Sequence, residues 1–133
     1  MPRPIVASSP AARIAAGGAS FEIHEWSGSE PEDMHVHHSD DEAWHILEGT
    51  LTFRFEDGDV DAPAGTTVFV PAGVPHTYFE AHGRTRYLVV MTPRVSALVK
   101  ALHRTPSDEH ERVMREHDSA ILSAGAPAEP ARE

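Results

Sequence analysis

Four side chains in this sequence have the types and spacing of a metal site. His35-Val36-His37 puts two imidazoles on one face of an extended segment, because side chains in a strand return to the same face every second residue. Glu42 follows, with a turn signal at Gly49 beyond it, so a carboxylate can return to the same point from the next length of chain. His76 enters another extended stretch after Pro71-Ala72-Gly73-Val74-Pro75 and is the fourth candidate. Three neutral imidazoles and a carboxylate form a mixed nitrogen and oxygen donor set that suits one divalent Fe, Mn, Ni, Zn or Cu ion. An octahedral ion held in this way keeps positions open, as metal-assisted catalysis requires. The chain has no cysteine, which excludes thiolate sites, iron–sulfur clusters, disulfides and cysteine nucleophiles.

Glu42 and Glu80 are the candidate proton carriers. Alternation from His76 places Tyr78 and Glu80 on its own face, with Glu80 about 13 Å further along the strand. That is too far for a ligand but suits the far end of a substrate pocket; the competing reading is a strand-end carboxylate that meets solvent, Arg84 or Arg86. Trp44, Ile46, Phe69 and Tyr78 are candidate pocket residues for an aromatic ligand, and plain core packing accounts for them as well. His38 alternates away from His35 and His37, and His45 alternates away from Glu42 and Trp44, toward the surface or a dimer interface. The remaining histidines of the ten, His24, His82, His103, His110 and His117, have no partner spacing and are assigned no function.

The elements that must carry these residues are short strands. Phe21 to Trp26 alternates apolar and polar residues, and Ala43 to Glu56 reads as two strands joined at Glu48-Gly49, with Leu51, Phe53 and Phe55 on one face. Asp57-Gly58 is a hairpin signal, and strands follow over Thr66 to Val70, His76 to Glu80 and Thr85 to Thr92. Strands this short, separated by Gly and Pro, predict an all-β antiparallel sandwich or barrel. After Pro93 the period changes: Val95, Leu98, Val99 and Leu102 share one helix face. A second helix is expected with Thr105 as N-cap, Pro106 at its first position, and Val113, Met114, His117 and Ile121 on its apolar face.

Two separated motifs in the chain resemble those of the cupin superfamily. The first family pattern is HxH, three or four residues, Glu, six residues and Gly, and HVHHSDDEAWHILEG from His35 to Gly49 fills every fixed position. The second is Gly, five residues, PxG, two residues, His, three residues and Asn; Gly65, Pro71, Gly73 and His76 match it, and Glu80 stands at the Asn position. The glycine expected before the first His is replaced by Ser29, with Gly28 adjacent. The resemblance covers roughly residues 20 to 92. It implies a cupin barrel, a double-stranded β-helix or jelly roll, with His35, His37, Glu42 and His76 as metal ligands inside it. It also implies a small single-domain metalloprotein of the quercetin dioxygenase-like kind, acting on an enol, hydroxyketone or phenolic substrate. The alternatives are a redox-neutral cyclase or isomerase, or a non-catalytic module that binds or senses a small ligand.

Length and charge bound the rest. The 133 residues suffice for one core, divided as a flexible arm at 1–19, a barrel at 20–93, helices at 94–122 and a disordered tail at 123–133. A formal net charge of −10 opposes phosphate backbones and anionic lipid, so the expected partner is a small molecule and neither nucleic acid nor membrane. Pro4, Pro10 and Arg13 interrupt any secretory apolar stretch, which predicts a cytoplasmic protein. The apolar run Thr85 to Thr92 favours a homodimer packed sheet to sheet.

Overall fold

A computed structural model of the chain describes residues 3–9, 12–29 and 33–122. The strands are β1 (Ala15–Gly17), β2 (Glu22–Ser27), β3 (His35–His37), β4 (Glu42–Glu48), β5 (Thr50–Phe55), β6 (Gly58–Pro63), β7 (Thr67–Val70), β8 (Thr77–Phe79) and β9 (Arg86–Met91). Helix α1 (Pro93–Arg104), a 3-10 turn at Ser107–Glu109, helix α2 (His110–Glu116) and a last strand, β10 (Ser119–Ile121), follow. Strand alternation decides which side is inside. Along β4, Glu42, Trp44 and Ile46 are buried while Ala43, His45 and Leu47 are only partly covered; along β9, Tyr87, Val89 and Met91 face inward.

The strands form three antiparallel sheets in the orders β1-β2-β9-β4-β7, β6-β5-β8 and β10-β3. The core lies between the five-stranded and three-stranded sheets, where Trp44, Ile46, Val89 and Tyr87 of one meet Leu51 and Phe53 of the other. Burying each such side chain contributes roughly 1.5–3 kcal/mol. The aromatic members meet edge to face, Trp44 with its ring centroid 5.1 Å from Phe53 and 5.4 Å from Tyr78. Helix α1 starts where the Thr92 hydroxyl accepts the Val95 N–H at 3.1 Å, with Pro93 just inside the helix. Val95 and Leu98 are buried as the predicted stripe requires, and the Arg94 guanidinium forks onto buried Asp40 at 2.8 and 3.2 Å, fixing the helix beside the loop before β4.

Several expectations need correction. Among the described residues of the segment expected as a flexible arm, Ala15–Gly17 pairs with β2 as an edge strand, and Ser9 and Ile14 both reach the carboxylate of Glu25. Thr105 does not cap the second helix: its hydroxyl donates back to Ala101 O at 2.6 Å and closes α1, and Pro106 leads into the 3-10 turn. The second helix ends at Glu116, so Ile121 belongs to a strand and not to a helix face. Asp118 takes a positive φ of 57°, which a short polar side chain tolerates, and turns the chain so that β10 can pair with β3. The hydrogen bonds of that ladder outweigh the local helical pattern. The tail at 123–133 lies outside the described residues. No helix among the described residues is long and apolar enough to cross a membrane.

Candidate metal centre

β3 and the chain just before β8 build the site. His35 N–H donates to His76 O at 3.0 Å and His76 N–H donates to His35 O at 2.9 Å, so the two residues stand directly opposite each other. Opposed residues of an antiparallel pair project side by side, which brings the two imidazole centroids to 4.5 Å. His37 lies two residues along on the same face, its ring 5.0 Å from His35 and 5.4 Å from His76. The turn between Pro71 and Val74 clamps this arrangement: Gly73 N–H donates to His37 O at 2.8 Å, and Ala72 N–H donates to the Asp41 carboxylate at 2.8 Å. The two sequence motifs are therefore joined by backbone hydrogen bonds.

His35, His37 and His76 each offer one ligand atom within 4.8 Å of the others. Glu42, the first residue of β4, adjoins them through Oε1, which is 3.1 Å from His37 Nε2 and 3.2 Å from His76 Nε2. His37, Glu42 and His76 are buried and His35 is partly exposed, so the centre is most open on the His35 side.

Donor chemistry tests whether a metal fits. The Nδ1 atoms of His35 and His76 lie 3.0 Å from Asp33 O and 2.9 Å from Val74 O, and a carbonyl only accepts, so each Nδ1 carries the hydrogen. Nδ1 of His37 lies 2.8 Å from the Ser119 hydroxyl, whose own hydrogen is donated to His117 O at 3.1 Å. With the hydrogen on Nδ1, His35 and His76 turn Nε2 toward the centre, and a Ser119 hydroxyl that serves both of its neighbours does the same for His37. The Nε2 atoms of His37 and His76 both face the Glu42 carboxylate oxygen, so a positive species, a proton or a metal ion, must lie between them. Desolvation, followed by the neighbouring imidazoles His76 and His37, lowers the pKa of His35 to about 4, so this ring is neutral near pH 7. Burial, the largest influence on Glu42, would raise its pKa; the hydrogen bonds and charges of His37 and His76 outweigh it and hold the carboxyl at about 2. Three imidazole donors and a carboxylate fit a divalent transition ion.

The other predicted site residues divide. Trp44, Ile46 and Tyr78 do lie in the interior: Trp44 and Ile46 are fully buried, and the indole centroid is 5.7 Å from the His76 ring. Trp44 Nε1 is buried with no hydrogen-bond partner among the described residues. Phe69 does not join them. It pairs with Ala43 on the outer face of the sheet and is 60% exposed, because Val68 and Val70 take the inward positions of β7. Glu80 also leaves the site. β8 ends at Phe79, and the Glu80 carboxylate turns to accept the Thr85 N–H at 2.8 Å and the Thr85 hydroxyl at 2.6 Å, so it closes the turn from 80 to 85. His45 points outward, as alternation requires, with Nδ1 2.7 Å from Thr67 Oγ1. Sequence reasoning missed Ser119, for which the only signal was a small polar residue inside an apolar helical stripe.

Comparison with known proteins agrees with this architecture. The chain is similar in fold to a cupin-2 domain protein of Shewanella frigidimarina, with 22% identity over 61% of this chain and 79% of that one and a TM-score of 0.54. The polyketide cyclase RemF of Streptomyces resistomycificus gives 19% identity, 67% and 80% coverage and a TM-score of 0.55. A sugar phosphate isomerase of the cupin superfamily from Silicibacter pomeroyi gives 24% identity, 57% and 52% coverage and a TM-score of 0.51. No curated protein sequence matches the chain. The sequence profile described as "Cupin domain" matches residues 15–91, a span that holds all three clustered histidines and Glu42, and the chain belongs to that family.

Proposed function

We propose that this cupin is a metal-dependent enzyme acting on a small, oxygen-bearing substrate, an enol, hydroxyketone or phenol, as a dioxygenase. The observation that carries the reading is the convergence of the His35, His37 and His76 imidazoles, with ligand atoms within 4.8 Å of one another, and the Glu42 carboxylate beside two of them. A divalent ion held there supplies Lewis acidity and, when six-coordinate, two open positions for neighbouring oxygens of a substrate. His35, His37, His76 and Glu42 are its ligands in this reading. A carboxylate bound to a divalent ion gives up basicity to it, so in this reading Glu42 serves as a ligand and not as the group that takes the substrate proton. Trp44, with its ring 5.7 Å from that of His76 and packed on Phe53, keeps water from that flank. The partly exposed His35 side is the route of entry.

The test is oxygen uptake by protein loaded in turn with Fe, Mn, Ni, Zn or Cu, against catechol, flavonol and β-diketone panels. Uptake that is stoichiometric with substrate loss supports the dioxygenase. A redox-neutral cyclase or isomerase is the second reading, suggested by the similar folds of RemF and the sugar phosphate isomerase. It predicts substrate conversion with no uptake. Tight ligand binding without conversion would instead indicate a binding or sensor module.

We also propose a cytoplasmic homodimer. On the outer face of the five-stranded sheet, Ala16, Ile23, Val90, Ala43 and Phe69 are successive cross-strand partners and form an apolar row. Pairing two such rows would remove Phe69 from water.

A further inference from the structure

We infer that Ser119, brought back by the chain after the barrel, is a positioning residue of the metal centre. The inference rests on the reading that His37 is a metal ligand. Ser119 is 1% exposed, and its hydroxyl contacts the His37 ring from a position 82 residues further along the chain. His117 O, 3.1 Å from the Ser119 hydroxyl, can only accept, so a hydroxyl that serves both neighbours donates its one hydrogen there and accepts from His37. The hydrogen of His37 is thereby held on Nδ1 and its lone pair on Nε2, the atom that faces Glu42. His35 and His76 obtain the same tautomer from carbonyls two residues earlier in their own segments, Asp33 and Val74. Among the three, His37 alone relies on a partner from the segment that follows the barrel.

The backbone delivers this hydroxyl in register. Ser119 is paired with His37, Ala120 with Val36 and Ile121 with His35. Two further bonds bracket the ladder, His38 N–H to Asp118 O at 2.9 Å and Leu122 N–H to Met34 O at 2.8 Å. Asp118 is itself near Arg94 of α1, 3.9 Å away, and α2 packs Val113 and Met114 against Leu98 of α1. The segment that follows the barrel thus fixes the outer edge of the strand holding two ligands, while His76 and Gly73 fix the inner edge. Ligand imidazoles whose other nitrogen is held in this way bind metal more tightly, and loss of the partner lowers affinity about 10–100-fold.

The test uses the full chain and its Ser119→Ala and Ser119→Thr variants, with Zn²⁺ as the probe. In metal-free protein, long-range ¹H–¹⁵N spectra of the imidazoles report each tautomer. Zinc affinity is read separately by competition with a fluorescent chelator, and thermal unfolding and amide spectra report the fold. The expected result is that Ser119→Ala stays folded, gives His37 a mixture of tautomers while His35 and His76 keep theirs, and binds zinc about 10–100-fold more weakly. Ser119→Thr, which keeps the hydroxyl, should restore the tautomer and most of the affinity. If Ser119→Ala unfolds, the Thr variant carries the comparison, and a His37 ring in mixed tautomers despite its hydroxyl would overturn the assignment. An unchanged His37 tautomer in Ser119→Ala, or zinc affinity within twofold of the parent, would also overturn it. Failure of the parent chain to bind zinc or any other divalent ion would refute the metal reading, and the tautomer comparison would still decide the role of Ser119.

Discussion

Replacing Gly49 by Ala should weaken the fold far more than replacing Gly65 by Ala, although both glycines belong to the motifs and both have positive φ. Gly49 sits at φ 80° between β4 and β5, and Gly65 at φ 90° before β7. For a residue with a Cβ this conformation costs about 1–2 kcal/mol at either position. The surroundings differ. A Cβ on Gly65 meets nothing within 4 Å, whereas one on Gly49 would overlap the Arg84 carbonyl oxygen and press on Thr85 Cα at 3.2 Å. Both contacts are with backbone that cannot rotate away, so the turn from 80 to 85 must shift, adding about 1–3 kcal/mol as overpacking typically does. Gly49→Ala should therefore lose about 2–5 kcal/mol from a total stability of roughly 5–15 kcal/mol. With a urea dependence of about 2 kcal/mol per molar, its midpoint falls by about 1–2.5 M, against about 0.5–1 M for Gly65→Ala. Metal binding in native buffer should survive in Gly49→Ala, because the turn lies at the opposite end of β4 from Glu42. Equal midpoints for the two variants would refute the contact argument, and loss of metal with the fold intact would refute the separation of turn and site.

Other perturbations probe different parts of the account. Glu80→Gln should leave metal content unchanged and lower stability by about 1 kcal/mol, since Thr85 loses a charged acceptor; loss of metal would make Glu80 a ligand and refute its placement at the turn. Trp44→Ala should cost about 3–5 kcal/mol in chemical denaturation, because a fully buried indole packed on Phe53, Tyr78 and His76 leaves a cavity, and a cost below about 1 kcal/mol would show that the core is not organised around it. Phe69→Asp should shift sedimentation at micromolar concentration from dimer to monomer; a monomeric parent chain would remove the proposed interface. Burial tends to raise the pKa of Glu25, but hydrogen bonds from Ile14 N–H, Ser9 and Arg86 and the charge of Arg86 bring it below the ordinary range. A depressed carboxyl contributes stability that is fully present above its unfolded pKa of about 4.3 and is lost as pH falls through the folded value. Stability of the parent chain should thus decline below about pH 4–5, and Glu25→Gln should flatten that decline. An unchanged pH profile in the variant would contradict it.

His35 and His37 were legible together because period-two alternation puts them on one face. His76 pairs with His35 from far along the chain, which no local rule shows, and it was the second cupin-like motif that pointed to it. What escaped depends on partners that a single sequence does not show. Phe69 has the composition of a pocket residue, but its face is set by register against Ala43, and that register turns it outward. Alternation continued through Glu80 overruns β8 by one residue, because the strand ends at Phe79 and Thr85 captures the carboxylate. β1, with the sequence Ala-Ala-Gly, has little intrinsic strand preference and exists through its pairing with β2. β10 was hidden by a helical pattern that continued through Ile121, and only the ladder to β3 reveals it, along with the contact between Ser119 and His37.

The central claim is that His35, His37, Glu42 and His76 hold one divalent ion, and metal content tests it most directly. The full chain, stripped and then equilibrated separately with Mn²⁺, Fe²⁺, Ni²⁺, Cu²⁺ and Zn²⁺, would be freed of unbound ion and analysed by elemental mass spectrometry, with His37→Ala and His76→Ala in parallel. The account predicts about one ion per parent chain for at least one of these metals and almost none in either variant, with far-ultraviolet circular dichroism unchanged. A parent chain that retains no ion, or variants that retain it undiminished, would contradict the account.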